Sequence, residues 1–206
     1  MKTTMKRTVT RVLTFGTACL AFAHQASAHH LPPGFEDVDE FDQAQMLIAL
    51  RHPFTGLDHL LLALAMGWIA YLWSKRIGSA LLASFMGSML AGLILGRLGV
   101  GAPMLEEGIA LTVIASGLML AYASKASKKV AFSLAIIAGF WHGNAHGMEM
   151  PGAASSVVYG AGLLIGTATV ACGGAALAAL TTQRRELLAQ GAGVALALAG
   201  VWLWLA

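Results

Sequence analysis

Charge is scarce in this chain. Asp, Glu, Lys and Arg together make up 11% of its 206 residues, where a soluble domain carries about 25%. That deficit excludes an ordinary soluble enzyme, a nucleic-acid binder and a disordered chain. Cysteine is nearly absent. Cys19 and Cys172 lie far apart, each in an apolar run, so they make neither a disulfide framework nor a zinc knuckle. No Walker A pattern occurs, so the chain hydrolyses no nucleotide through a P-loop. Two-residue alternation is missing from the apolar runs, which excludes a transmembrane barrel of strands. What is abundant is apolar: 57% of the residues are hydrophobic and 24 are glycine. The composition is that of an all-α polytopic membrane protein.

The first 28 residues read as a secretory leader. Lys2, Lys6, Arg7 and Arg11 precede an apolar stretch from about Val12 to Ala23, followed by Ala26-Ser27-Ala28. A basic start, a short apolar run and an A-x-A site predict cleavage after Ala28. His29 then becomes the mature N-terminus, outside the cytoplasmic membrane. Cleavage removes four of the 13 basic residues and none of the ten acids, leaving a net charge of −1. The basic character belongs to the leader and implies no anionic partner such as nucleic acid.

Residues 29–45 are polar and acidic, with Glu36, Asp37, Asp39, Glu40 and Asp42 after Pro32-Pro33-Gly34. They predict a loop or a short surface helix. The expected organisation is a leader over 1–28, an acidic periplasmic segment over 29–51 and a membrane domain over 52–206. Six apolar segments follow, at roughly Leu57–Trp73, Ile77–Leu98, Pro103–Ala123, Val130–Gly147, Ser155–Leu180 and Leu187–Ala206. Each is near the ~20 residues that a helix needs to cross the hydrocarbon core. With the mature N-terminus outside, the cytoplasmic loops hold Lys75, Arg76, Lys125, Lys128, Lys129, Arg184 and Arg185, and the outside keeps only Arg51 and Arg97. This bias obeys the positive-inside rule and puts the C-terminus outside as well. Gly92-x-x-x-Gly96 and Gly162-x-x-x-Gly166 are small-residue patterns for close helix packing.

Ionisable residues that lipid should exclude gather in three places. His52 and His59 are two turns apart, so they share a face if that stretch is helical. Asp58 is adjacent, and Pro53 suits the first turn of a helix. His142 and His146 are spaced i, i+4, with Glu149 three residues further on, so one helix directs all three to one side. Glu106 and Glu107 follow Pro103, where they serve the helix dipole or an ion path. In the expected topology all three clusters fall in the outer half of the membrane. Imidazole and carboxylate together suit divalent nickel, cobalt or zinc. A free amine on His29, with its own imidazole and that of His30, is a further chelate for such an ion.

At these residues the chain resembles the HupE/UreJ family of bacterial membrane proteins, which are nickel permeases with some cobalt-linked relatives. A histidine, five residues and then Asp-His match His52, Asp58 and His59. The pattern Phe-His-Gly-x-Ala-His-Gly-x-Glu matches His142, Gly143, Ala145, His146, Gly147 and Glu149, with Trp141 in place of phenylalanine. Glu107-Gly108-Ile109-Ala110-Leu111-Thr112 looks like the family's third-span signature. The resemblance implies that His52, Asp58, His59, His142, His146 and Glu149 serve metal transport.

The expected function is import of Ni²⁺ or Co²⁺ across the bacterial inner membrane. The ion is cargo, and no cofactor is expected. A homo-oligomer is compatible with this organisation. Two alternatives belong to other classes. An intramembrane zinc hydrolase would use Asp58 or Glu149 as base, and a metal sensor or accessory subunit would not transport by itself.

Overall fold

A computed structural model describes residues 42–123, 125–150, 154–181 and 185–205. The expected leader over 1–28, and with it His29 and His30, lies outside the described residues. Among those residues every regular element is an α-helix: α1 Asp42–Thr55, α2 Leu57–Leu72, α3 Lys75–Arg97, α4 Leu105–Ala121, α5 Lys128–Glu149, α6 Ser156–Leu180 and α7 Arg185–Leu205. Helices α2 to α7 form where the six apolar runs stand.

Helix α1 differs from expectation. The chain is already helical from Asp42, and the helix runs on through Pro53, which lies in its last turn rather than in the first turn of the next helix. Gln45 and Ala49 are buried, because α1 packs along α6. Pro53 offers no N–H to the preceding turn, and Gly56 then takes an extended backbone, φ −77° and ψ 115°. The chain bends by 76° between α1 and α2.

Three helices are long and apolar enough to cross a membrane: α3, α6 and residues Glu186–Leu205 of α7. The bent pair α1–α2 counts as a fourth if it forms one span. Helix α4 has 17 residues. Helix α5 has 22 residues and carries two lysines, two histidines and a glutamate. The side chains are arranged inside out. Leu90, Ile94, Leu118, Ile136, Ile165 and Leu198 are exposed, whereas Asp58, His59, Thr112, Ser116, His142, Asn144, His146 and Thr167 are buried. Such a surface suits lipid, and buried polar groups are what a membrane protein keeps for packing and function.

Helix α2 touches α1, α3, α4, α6 and α7 and so occupies the centre. Around it α3 packs on α5, α4 on α7, and both α1 and α2 on α6. The α3–α5 seam is backbone on backbone: a methyl group added at Gly143 would strike the Met89 carbonyl, and one at Gly92 would strike that of Phe140. Gly162 and Gly166 serve α1 in the same way. Met66 and Met89 lie in the core.

Candidate metal centre

The site is assembled where α1 ends, α2 begins and α5 nears its C-terminus. Helix α1 brings His52 in its last turn. After the bend, the first turn of α2 brings Asp58 and His59. Helix α5 brings His142 and, one turn later, His146. His52 and His59 therefore do not share the face of one helix. They meet across the bend, with ring centroids 5.2 Å apart. The glycines on α5 let this helix approach α3 at backbone distance, which sets the depth of its two imidazoles.

Four imidazoles interlock. His59 packs on His142 with centroids at 4.7 Å and on His146 at 4.4 Å, and His52 lies 4.7 Å from His146. The Nε2 atoms of His59 and His146 face each other. On the other side of the His59 ring, Nδ1 is 2.9 Å from Asp58 Oδ2, and the same carboxylate oxygen is 3.9 Å from His142 Nε2. His142 Nδ1 lies 3.0 Å from the carbonyl oxygen of Ala138. A carbonyl only accepts, so Nδ1 donates and the Nε2 lone pair is directed at the site, the usual outer-shell arrangement of a ligating histidine.

Burial separates these groups. Asp58, His59, His142 and His146 are exposed by 3% or less, while His52 is half-buried. Charged groups placed in such surroundings need a counter-charge or a bound ion. Two sets of three donor atoms lie within 4.8 Å of one another: His52, His59 and His146, and Asp58, His59 and His142. The first offers three imidazole nitrogens, the second two imidazoles and a carboxylate. Bonds of about 2.0–2.2 Å to a borderline divalent ion can bridge such spacings.

Glu149 belongs to neither set. It stands at the end of α5, half-buried, near enough to Glu106 and Asp58 for their charges to interact. Glu106 and Glu107 are exposed in the first turn of α4. These acids, which serve the helix dipole or an ion path, stand at the same end of the bundle as the imidazoles. The i, i+4, i+7 reading put His142, His146 and Glu149 on one side of α5. The two histidines do face His59 from one side, yet they join different sets, because His59 lies against both.

Asn144 is the residue that spacing did not single out. It is fully buried between the two α5 histidines. Its Oδ1 accepts the N–H of Ala102 at 2.7 Å, and its Nδ2 donates to the carbonyls of Val100 at 2.8 Å and Gly92 at 3.3 Å. One amide thereby fastens the α3–α4 loop and α3 to the helix that carries His142 and His146. The Arg97 guanidinium adds a bond to the Met150 carbonyl, 3.3 Å. An amide in a glycine-rich helix was the available signal. Gln45 plays a similar part on α1, accepting the N–H of Ser155 at 3.0 Å just before α6.

Comparison with known proteins shows the family of the chain. The family model described as "HupE / UreJ protein" matches residues 12–203. The chain is similar to the protein named "Protein HupE" of Rhizobium leguminosarum bv. viciae, 36% identical over 162 residues, which cover 76% of this chain and 83% of that one. No solved structure matches it.

Proposed function

Because the chain belongs to the HupE/UreJ family, we propose that it is a divalent metal permease that imports Ni²⁺ or Co²⁺ across the bacterial inner membrane. One observation carries the reading. Four imidazoles and a carboxylate, contributed by three separate helices, converge at a buried place in a protein whose outer surface is apolar. Packing alone gives no reason to collect so many electron-pair donors, and a hydrated cation gives one.

The proposed path begins at the acidic end of the bundle. Glu106, Glu107 and Glu149 raise the local concentration of cations there. The acidic segment before α1, with His29 and His30, collects ions ahead of them. At His52, Asp58, His59, His142 and His146 the ion exchanges its water shell for nitrogen and oxygen, and Glu149 assists at the rim. Release requires a site that binds firmly enough to admit the ion and loosely enough to let it go. With no nucleotide-binding motif in the sequence, the membrane potential, a proton gradient or the metal gradient supplies the driving force. All six apolar helices are taken as spans. The distribution of lysine and arginine supports a periplasmic position for both mature termini and for the site.

The test is uptake of radioactive nickel by a nickel-permease-deficient bacterium that expresses the chain, with Co²⁺ and Zn²⁺ as competitors. Uptake is expected with the wild type and is expected to be lost with His146→Ala at equal membrane abundance. Absence of uptake of all three ions by a correctly inserted protein would reject the permease.

A further inference from the structure

His59 turns a different nitrogen to each of the two donor sets. Its Nε2 faces His146, on the side where His52 packs against both rings. Its Nδ1 faces Asp58, whose Oδ2 also lies 3.9 Å from His142 Nε2. We propose that these are two overlapping three-ligand subsites, and that His59 hands a single ion from the His52–His59–His146 subsite to the Asp58–His59–His142 subsite. The proposal rests on the permease reading and specifies how its ion moves.

Three observations carry it. First, a neutral imidazole has one lone pair and one N–H, on different nitrogens. His59 therefore ligates on one side at a time, and an ion in one subsite excludes an ion from the other. Second, the subsites differ in access. The first includes half-buried His52, and the second consists of residues exposed by 3% or less. On α5, His142 lies one turn further from the helix end than His146, so the second subsite is the deeper. Third, they differ in charge. The outer set is three neutral nitrogens, which exchange an ion readily. The inner set adds a carboxylate, which a dication needs where water no longer screens it.

The transfer balances. While the ion sits on Nε2, Nδ1 keeps its proton, 2.9 Å from Asp58 Oδ2. As the ion moves across, Nδ1 gives up that proton and Nε2 takes one up, both exchanged with water that enters beside half-buried His52. One proton leaves and one arrives, so the ring ends neutral. The outer subsite also depends on the bend at Gly56, since His52 rides on α1. The inner one is built from α2 and α5 alone, so it survives a change of that bend.

The experiment is a Co²⁺ titration of the purified full chain in lipid nanodiscs, read by visible absorption, which reports the number and kind of ligands. The wild type is expected to bind one equivalent. His52→Ala and His142→Ala are each expected to keep one equivalent, bound more weakly and with different spectra: two imidazoles and a carboxylate in the first, three imidazoles in the second. His59→Ala is expected to bind none. His52→Gln and His142→Gln, checked for helix content and monodispersity, guard against misfolding. Two equivalents on the wild type would overturn the shared ligand. So would identical spectra in the two variants, or loss of binding in both while they stay folded, because a single five-ligand centre would then account for everything. A wild type that transports nickel yet shows any of these results rejects only the relay. A wild type that neither binds nor transports rejects the permease itself.

Discussion

The Asn144 amide accepts the Ala102 N–H at 2.7 Å, so the loop that leads into α4 hangs from the helix that carries His142 and His146. Two further bonds from the same amide, to Val100 and Gly92, occupy both of its N–H donors. Asn144→Leu removes all three and leaves the part-buried Ala102 N–H and Val100 carbonyl without this partner. Each buried group left unsatisfied costs about 1–3 kcal/mol. The variant is expected to melt at a lower temperature and to lose metal binding with it. Asn144→Asp, which keeps the bond to Ala102, is expected to fall between the two. Thermal unfolding in detergent checks the order.

Gly143 and Gly87 form a matched pair for testing the seam. A methyl group at Gly143 collides with the Met89 backbone, which has no way to yield, whereas nothing lies within 4 Å of one at Gly87. Gly143→Ala is expected to cost about 1–3 kcal/mol or more, as overpacking does, and to reduce the amount of protein in the membrane. Gly87→Ala is expected to be neutral or to stabilise α3 by about 0.5–1 kcal/mol through helix propensity. Equal behaviour of the two variants would mean that α3 and α5 do not approach as described.

Asp58→Asn keeps the shape of the side chain and removes its charge. His59 Nδ1 loses a charged partner at 2.9 Å, and the deeper donor set loses its only anion. Changes of this kind lower metal affinity by roughly 10–100-fold. The expected result is a folded protein with weakened Ni²⁺ binding by calorimetry and little uptake.

Protons and metal ions compete for the same imidazole lone pairs. Nickel uptake should therefore fall as the outside is acidified across roughly pH 8 to 5, the interval in which histidine ordinarily changes charge. The sign is fixed: protonated imidazole does not coordinate. Initial uptake rates at constant membrane potential measure it, and a level profile would argue against histidine ligation.

Most of the helical framework was legible because each of the six apolar runs has the length of one helix. The all-α class followed from composition. Helix α1 was not legible. Its acidic start resembles a surface segment, and Pro53 resembles a helix beginning until the bend at Gly56 is seen. The consequence reached the site. His52 and His59 were paired by a two-turn spacing within one helix, yet they meet through a turn of the chain. Spacing placed His142 and His146 correctly on one side of α5. It had no means of showing that His59 would lie against both and divide them. Asn144 escaped for a related reason: its partners, Ala102, Val100 and Gly92, are more than forty residues away.

The bare seam between α3 and α5 also limits what this protein can do mechanically. Where two backbones meet without side chains between them, a small slide drives carbonyl into Cα, and the next comfortable register is a whole turn away. The pair behaves as a chassis. Its passengers, His142 and His146, keep their height while other parts travel. His52 rides on α1, which is clasped by α6 through Gly162 and Gly166, so those two helices form the natural counter-piece. The transport cycle proposed above would, in such a machine, rock one stiff half against the other along the line where His52 meets His59 and His146.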